Sequence, residues 1–263
     1  MMKETVYRIS NKKKMKIALV ADLHNVSGRS ALLSMEKNRP DLIAVSGDLI
    51  AGHNPKEAGH KVESQKNVLP FVRGCAEIAP TFVSVGNHEW MLTDDELGLF
   101  TSAGATVLDN TWTEREGVVI GGLSSALRNI CSFERDRSGV LYPKLSDLRN
   151  HDKIMTSSDW LSEFERQKGY KILLCHHPEY WCLRDPFLIS RRIDLVLSGH
   201  AHGGQFRFLG QGAYAPGQGW FPKFTSGVHG GPNGKLIISR GLSNPARPIP
   251  RIFNRTEVVY IIV

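Results

Sequence analysis

Short apolar runs alternate with amphipathic stretches along the chain, which is typical of buried strands alternating with helices. The runs that predict the principal strands are Met15–Ala21, Asp41–Ser46, Thr81–Val85, Lys171–Cys175 and Ile193–Ser198. Further strands are expected at Thr106–Leu108, Val118–Gly122, Lys235–Ser239 and Glu257–Val263. The alternation predicts an α/β fold. Because we find no repeat, linker or low-complexity tract, we expect one domain over residues 1–263.

Helical spacing of apolar residues predicts helices between several of these strands. They are expected at Ala31–Asn38, Lys56–Ile78, Thr93–Ala103 and Ser158–Gln167. Thr93 followed by Glu96 forms a capping-box pattern, whereas Pro70 interrupts the second helix. Ser124–Asp152 shows no clear pattern, and Gly210–Gly234 is so rich in glycine and proline that we expect an ordered loop.

The composition is that of a globular protein, with 263 residues of which 41% are hydrophobic and 22% charged. No apolar run approaches the ~18 residues that a membrane span requires. The basic segment Lys12–Lys16 precedes an apolar run that Asp22 interrupts, so we do not interpret it as a signal peptide.

The cysteines form no CxxC pair, and we expect reduced thiols in a cytoplasmic protein. They are Cys75, Cys131, Cys175 and Cys182.

The net charge of +7 is concentrated at the two ends of the chain. Residues 1–16 carry six Lys and Arg against one acid, and residues 235–263 carry five against one, which leaves the middle slightly acidic. A protein that follows a nucleic-acid backbone spreads its basic residues along the binding face, so we expect no nucleic-acid partner. The basic ends are interpreted as solvated surface, with contact between Lys12–Lys16 and an anionic membrane as the alternative.

Five predicted strands end in a polar cluster. The clusters are Asp22-x-His24, Gly47-Asp48, Gly86-Asn87-His88-Glu89, His176 and Gly199-His200-x-His202. Ligands bind at the carboxyl ends of strands in α/β sheets, so the clusters are expected to converge. Carboxylates, an amide and imidazoles meeting in one crevice require a cation. Seven such donors are the right number for two ions that share a carboxylate, and mixed nitrogen and oxygen donors suit Mn²⁺, Fe or Zn²⁺ better than Mg²⁺.

The order of these clusters resembles the calcineurin-like metallophosphoesterase superfamily, whose pattern reads DxH, GD, GNH followed by Asp or Glu, H, and GHxH. All five blocks occur in that order from Asp22 to His202, about three quarters of the chain. The resemblance implies a four-layer α/β/β/α sandwich with mixed sheets and the metal site at the C-terminal ends of strands. It also implies two divalent metal ions, for which we expect Mn²⁺, with Fe or Zn²⁺ as alternatives.

The resemblance further implies a role for each clustered residue. The first metal is expected to bind Asp22, His24 and His202, the second Asn87, His176 and His200, and Asp48 is expected to bridge the two.

The histidines of the third and fourth clusters have different implied roles. His176 is preferred to His177 as the ligand because the family pattern His-x-Pro fits Pro178. His88 is implied to donate a proton to the leaving oxygen or to stabilise the transferring phosphoryl group. Glu89 is implied to orient His88.

Several other residues have two interpretations. Arg240, Arg247 and Arg251 could bind an anionic group of the substrate or lie on solvated surface. The aromatic cluster of the glycine-rich loop could pack on the core or form one wall of a substrate pocket; it consists of Tyr214, Trp220, Phe221 and Phe224. Four histidines are interpreted as structural: His53, His60, His177 and His229. Cys175 is interpreted as core packing.

The segment from Ser239 to Phe253 resembles the C-terminal part of a bacterial phosphodiesterase branch of this superfamily. Members of that branch often carry a membrane anchor or export signal; we find neither pattern and expect a cytoplasmic protein, with peripheral contact with an anionic membrane as the alternative.

Gly47-Asp48 lacks the Val-Asp-Arg-Gly continuation of the related protein phosphatases. We therefore predict a phosphodiesterase for a small-molecule or lipid-linked phosphoester, cleaved by hydroxide attack. A phosphomonoesterase and a metal-dependent binding module on the same fold are the alternatives.

Overall fold

The computed structural model of the chain describes residues 2–9, 13–51, 62–89, 92–125, 133–135, 141–143, 160–181, 188–215, 218–244 and 250–263. Its strands are β1 (Lys3–Arg8), β2 (Lys16–Val20), β3 (Leu42–Ser46), β4 (Thr81–Ser84), β5 (Thr106–Leu108), β6 (Thr111–Arg115), β7 (Val118–Leu123), β8 (Phe133–Arg135), β9 (Leu141–Pro143), β10 (Tyr170–Cys175), β11 (Leu195–Ser198), β12 (Arg207–Phe208), β13 (Gln211–Gly212), β14 (Tyr214–Ala215), β15 (Gly219–Trp220), β16 (Gly227–Gly230), β17 (Lys235–Ile238) and β18 (Glu257–Ile262). Its helices are α1 (Arg29–Asn38), α2 (Val68–Ile78), α3 (Asp94–Ser102) and residues 160–166.

Two six-stranded mixed sheets form the centre of the molecule. The first has the strand order β1-β18-β2-β3-β4-β5 and the second β16-β17-β11-β10-β7-β6. Most neighbours are parallel, but β18 is antiparallel to β2, and β6 and β16 are antiparallel to their neighbours. Apolar side chains of both sheets meet in one cluster between them. It includes Ile17 and Leu19 from the first sheet and Ile172 and Leu174 from the second.

Helices cover the outer face of each sheet. The first sheet packs against α1, α2 and α3 through a cluster that includes Met35, Phe71 and Phe100. The second packs against residues 160–166 and the 3₁₀ turn Pro178–Trp181. The order of layers is therefore helix, sheet, sheet, helix, and the four-layer α/β/β/α sandwich expected from the sequence is confirmed.

The apolar runs predict the central strands because those strands are buried on both faces. In β2, Ile17 and Leu19 face the other sheet, whereas Ala18 and Val20 face the helices. The observed bounds of these strands differ from the expected ones by one or two residues. Cys175 at the end of β10 is fully buried in the outer cluster, so its interpretation as core packing is confirmed.

The helix expected at Lys56–Ile78 begins only at Val68. Pro70 then lies in the first turn, where its missing N–H has no intrahelical acceptor to lose. Residues 52–61, with His53 and His60, lie outside the described residues. Within Ser124–Asp152, the strands β8 and β9 pair with each other, and most of the other residues lie outside the description.

Three strands of the two large sheets have no counterpart in the sequence prediction. The edge strands β1 and β6 consist mostly of polar and charged residues, so neither has an apolar run. The third, β16, lies in the stretch Gly210–Gly234 that the sequence predicts as a loop, and it pairs with β17. Glycine has a low strand propensity, and this strand forms only because β17 offers it a free edge.

Two cysteines are described, Cys75 and Cys175; both are buried and neither forms a disulfide. Burial raises the pKa of both thiols, which keeps them protonated and unreactive. Cys131 and Cys182 lie outside the described residues. In the described part of the chain, no helix is both long and apolar enough to cross a bilayer.

The start of α3 gives a first testable prediction. The Thr93 hydroxyl accepts the Glu96 amide at 3.3 Å, and the Glu96 carboxylate accepts the Thr93 amide at 3.1 Å. Thr93→Ala should lower the free energy of unfolding by about 1 kcal/mol, because one end of this capping box is lost. Urea unfolding measures the change. Thr101→Ala, at an exposed position of the same helix, is the control; an equal loss in both variants would contradict the prediction.

Candidate metal centre

The five polar clusters lie at the carboxyl ends of five central strands. Asp22 follows β2, Asp48 follows β3 and Asn87 follows β4, while His176 and His200 follow β10 and β11 of the other sheet. All seven expected ligands are buried, none being more than 8% exposed. The sandwich thus brings together side chains that are as far as 180 positions apart in the chain, Asp22 and His202.

The first group consists of Asp22, His24 and His202, whose potential ligand atoms lie within 4.8 Å of one another. His202 Nε2 is 3.6 Å from Asp22 Oδ1. His24 Nε2 is 3.6 Å from Asp48 Oδ2, so the expected bridging carboxylate borders this group.

The second group consists of Asp48, His176 and His200, also within 4.8 Å of one another. His176 Nε2 lies 3.1 Å from Asp48 Oδ2 and 3.0 Å from Asn87 Oδ1. His200 Nδ1 lies 2.9 Å from the same Asn87 oxygen. Asp48 Oδ2 is therefore close to donors of both groups, which is the position of a shared ligand.

The backbone of the site is strained. Five of the seven expected ligands adopt positive φ angles between 44° and 65°: Asp22, His24, Asp48, His200 and His202. Each such residue costs roughly 1–3 kcal/mol and persists only where its surroundings impose the conformation, although Asp, Asn and His tolerate it best. Here the turns are held by hydrogen bonds between clusters, such as the Asp22 amide to the Gly47 carbonyl at 3.1 Å and the His200 amide to Asp22 Oδ1 at 3.0 Å.

The glycines of the clusters allow neighbouring loops to approach the carboxylates. A Cβ at Gly86 would collide with Asp48 Oδ1, and one at Gly199 would lie 2.8 Å from Asp22 Oδ2. Glycine at these two positions is therefore required by close packing against a ligand of another cluster.

Burial keeps most of the imidazoles neutral. It lowers the pKa of His24 to about 3, and it lowers the pKa of both His200 and His202 well below the usual value. Neutral imidazole is the form that binds a metal. Burial also lowers the pKa of His176, but the Asp48 carboxylate outweighs it and raises that pKa to about 10. A cation at this position would have to displace the His176 proton.

The pKa values of the two aspartates, Asp22 and Asp48, shift in opposite directions. Burial, together with the charge of Asp48, raises the pKa of Asp22 to about 7 although His176 opposes it. For Asp48, burial raises the pKa, but the imidazoles of His176 and His88 outweigh burial and lower it well below the usual value.

Several buried polar atoms of the site have no hydrogen-bond partner among the described residues. They are Asp22 Oδ2, both ring nitrogens of His24 and His200 Nε2. Such orphaned atoms are rare in folded proteins and indicate that a ligand completes the site. Carboxylate, amide and imidazole donors in two adjoining groups fit two divalent cations that share Asp48.

His88 lies at the mouth of the site. Its side chain is 25% exposed, and its ring centroid is 4.4 Å from that of His24. His88 Nε2 is 3.7 Å from Asp48 Oδ2, and its amide donates to Asp48 Oδ1 at 3.0 Å. The imidazole is thus next to both groups and accessible from solvent.

Glu89 does not have the contacts expected of it. Its carboxylate accepts the backbone amides of Asp48 at 2.8 Å, Gly86 at 2.9 Å and Ile50 at 3.0 Å. No described hydrogen bond joins it to His88. A fully buried carboxylate needs several donors, and the loops after β3 and β4 supply three, so Glu89 fixes the backbone of Asp48 instead of the His88 ring.

Comparison with known families agrees with this geometry. The family model for calcineurin-like phosphoesterases matches residues 15–204, which include every expected metal ligand.

The chain belongs to the calcineurin-like phosphoesterase family.

Family membership and the two groups of ligands make this protein a metal-dependent phosphoester hydrolase with a dinuclear divalent metal site. Among curated proteins, it is 26% identical to an uncharacterized metallophosphoesterase of Aquifex aeolicus over 87% of this chain and 74% of that protein. It is 27% identical to one of Campylobacter jejuni over 95% of this chain and 59% of that protein.

Solved structures share the fold. A dimetal phosphatase from Danio rerio superposes with a TM-score of 0.52 at 14% identity, over 88% of this chain and 90% of that one. The NAD nucleotidase of Haemophilus influenzae has a TM-score of 0.51 at 15% identity, over 86% of this chain and 45% of that one.

Two of the three expected substrate arginines of this phosphoesterase are described. Arg251 donates to the Arg240 carbonyl at 2.6 Å, and the same nitrogen is 3.2 Å from His202 Nδ1. Its other two guanidinium nitrogens are buried without a described partner. Arg240 lies 3.8 Å from Glu257. Arg251 therefore borders the first group, whereas Arg247 lies outside the described residues.

The aromatic residues of the glycine-rich loop differ in burial. Phe224 is buried in the core cluster of the second sheet. Tyr214, Trp220 and Phe221 are exposed. The packing interpretation is therefore confirmed for Phe224 and wrong for the other three.

Glu179 is a buried acid of the phosphoesterase that the sequence pattern did not single out. One of its carboxylate oxygens lies within 4.8 Å of a ring nitrogen of His177 and of His200. Its carboxylate also accepts Gln218 Nε2 at 2.7 Å. Its position directly after Pro178, three residues after the expected ligand His176, is the signal that could have indicated it.

Of the four histidines interpreted as structural, the structure describes two, His177 and His229. His177 is buried, with its Nε2 2.6 Å from Ser125 Oγ. His229 is partly buried, with its Nε2 3.2 Å from the Ser226 carbonyl. Both have protein partners, as that interpretation expects.

Asp48→Asn should lower the affinity for both cations at once, because Asp48 Oδ2 borders both groups. Elemental analysis after dialysis should find that the bound metal falls from about two ions per chain to less than one. Asp109→Asn, which changes an exposed aspartate, is the control. Loss of only one ion would contradict the shared-ligand position.

Glu179→Gln should weaken metal binding about 10- to 100-fold, because the Glu179 carboxylate lies within 4.8 Å of a ring nitrogen of His200 and its charge makes that imidazole more basic. Competition with a fluorescent chelator measures this affinity. Glu163→Gln, on the exposed side of the helix 160–166, should leave it unchanged. Equal affinities of the Glu179 variant and the unmodified protein would show that this acid has only a packing role.

Proposed function

We propose that this phosphoesterase hydrolyses phosphodiesters of a small-molecule or lipid-linked substrate, with two Mn²⁺ ions as its cofactors. The observation that carries the proposal is the position of Asp48 Oδ2 between two groups of buried donors. Four imidazoles in the donor set favour Mn²⁺, Fe or Zn²⁺ over Mg²⁺. The unpaired cysteines Cys75 and Cys175 support a cytoplasmic location.

When bound, the two cations would acidify a water molecule and neutralise charge on the phosphoryl oxygens. The residues that would hold one are Asp22, His24, Asp48 and His202, and those for the other are Asp48, Asn87, His176 and His200. These side chains would all serve as ligands of the cations, so we propose that a water-derived nucleophile, and not a side chain, attacks phosphorus.

His88 would donate a proton to the leaving oxygen. It is the accessible imidazole of the site, whereas His24 beside it is buried and kept neutral by its lowered pKa. A positioned proton donor contributes about 10²- to 10⁴-fold to the rate. Glu89 contributes indirectly, because the amides that it accepts hold the loop carrying Asp48.

A diester is supported by the exposed side chain of Phe253, which could contact a second ester group. Its neighbour Asn254 donates to the His202 carbonyl at 2.7 Å, which places this segment beside the first group. A phosphomonoester is the second candidate. Arg251, with two buried guanidinium nitrogens lacking a described partner beside the first group, would match the additional charge of a dianionic monoester.

Initial rates on bis(p-nitrophenyl) phosphate and p-nitrophenyl phosphate test the proposal. The metal-stripped protein should be inactive, and Mn²⁺ should restore cleavage that favours the diester. His88→Ala should lower kcat about 10²- to 10⁴-fold while elemental analysis shows unchanged metal content. His229→Ala, at a histidine outside the site, is the control. Preference for the monoester would favour the second candidate, and no turnover with any divalent metal would favour a binding module.

A further inference from the structure

The exposed large apolar side chains of this protein are concentrated near the metal centre. In the described part of the chain, most of them lie between residues 206 and 253. We call six of them the apolar face: Phe208, Leu209, Tyr214, Trp220, Phe221 and Phe253. Leu209 is 92% exposed and Phe253 is 86% exposed. Isolated exposed apolar residues are ordinary, but a group of this size marks an interaction surface.

Backbone contacts connect the segments that carry this face. Strand β12 pairs with β13, and Phe206 forms a bridge with Ile252, next to Phe253. The rings of Tyr214 and Trp220 are 5.5 Å apart across β14 and β15. Ala213 connects the hairpin β12–β13 to the hairpin β14–β15: its carbonyl accepts the Phe221 amide at 2.8 Å, and its amide donates to the Phe206 carbonyl at 2.9 Å. The segments that carry the apolar face therefore adjoin one another.

The part of the chain that carries the apolar face has charges of one sign. Between Leu195 and Thr256 the sequence contains no Asp or Glu, but it contains seven Lys and Arg. Four basic residues also line a pocket of about 670 Å³ beside Phe253: Lys3, Arg240, Arg251 and Arg255. Partners that complement this surface are therefore anionic.

We propose that the apolar face binds the surface of an anionic lipid bilayer. Aromatic and aliphatic side chains enter the boundary between headgroups and acyl chains, and surrounding basic side chains bind anionic headgroups. The pocket beside Phe253 is where a headgroup phosphate would bind. The residues of this surface are not those of the basic segment Lys12–Lys16, which the sequence alone suggested as the membrane contact.

Two other partners fit the surface less well. A nucleic acid would stack on aromatic rings but would leave Leu209, an aliphatic side chain, exposed to water. A second copy of the chain, joined through the same face, would bring like charges together because residues 195–256 contain no acid.

The apolar face adjoins the first ligand group. Asn254 Nδ2 donates to the carbonyls of His202 at 2.7 Å and Gln205 at 3.0 Å, and Arg251 lies beside His202. A bilayer bound here would lie close to the metal centre. Bilayer binding itself does not depend on the proposed function, so it can be tested without measuring catalysis.

Cosedimentation of the full chain with vesicles tests the proposal. The protein should pellet with vesicles of phosphatidylcholine and phosphatidylglycerol more than with phosphatidylcholine alone. The triple variant Trp220→Ser, Phe221→Ser, Phe253→Ser should bind at least about tenfold more weakly, because three large apolar side chains no longer enter the bilayer. Circular dichroism and thermal melting establish that it remains folded.

Two matched variants distinguish the apolar face from exposed apolar and basic residues elsewhere on the protein. Val6→Ser with Leu33→Ser removes apolar side chains outside the face and should leave binding unchanged. Lys12→Gln with Lys14→Gln should keep most of the binding. The proposal is overturned if the triple variant binds as well as the unmodified protein, or if the lysine variant alone loses binding. It is also overturned if the protein ignores vesicles but binds an oligonucleotide, or dimerises, through these residues.

Discussion

Two carboxylates, Asp22 and Asp48, are almost completely buried at the ends of neighbouring strands of the first sheet, and the site is built around their charge. Amides and imidazoles offset part of it: the His200 amide donates to Asp22, and His176 lies against Asp48. Because burial of an incompletely paired carboxylate is costly, the remaining charge favours cations. The ligands come from strands of both sheets, so the metal centre requires the complete sandwich.

The sequence predicts the convergence of these side chains because their positions depend on residue type at strand ends. Apolar runs locate strands such as β2, and the polar residue that follows each run is the candidate ligand. The features that the sequence could not predict are contacts between residues that become neighbours only in the folded protein. The carboxylate of Glu89 accepts backbone amides instead of orienting His88, Glu179 is close to His200 only after folding, and β16 is a strand because β17 offers an edge.

The metal centre and its surroundings have opposite electrostatic characters. Inside, Asp22 and Asp48 provide negative charge that favours cations, whereas the rim contributed by residues 195–256 contains bases and no acids. A rim of this kind attracts anionic phosphoesters and raises their local concentration. The negative interior and the positive rim are compatible because Asp22 and Asp48 are buried, whereas the basic residues of the rim, including Arg251, lie between these carboxylates and solvent.

The position of β18 determines when the first sheet can form. This strand, residues 257–262, lies between β1 and β2, although these two are near each other in the sequence. During synthesis, β1 therefore has no partner until residues beyond 256 have left the ribosome. Pairing of such distant segments slows folding and leaves strand edges exposed meanwhile, so we expect nascent chains of this protein to depend on chaperones more than a protein with local pairing does.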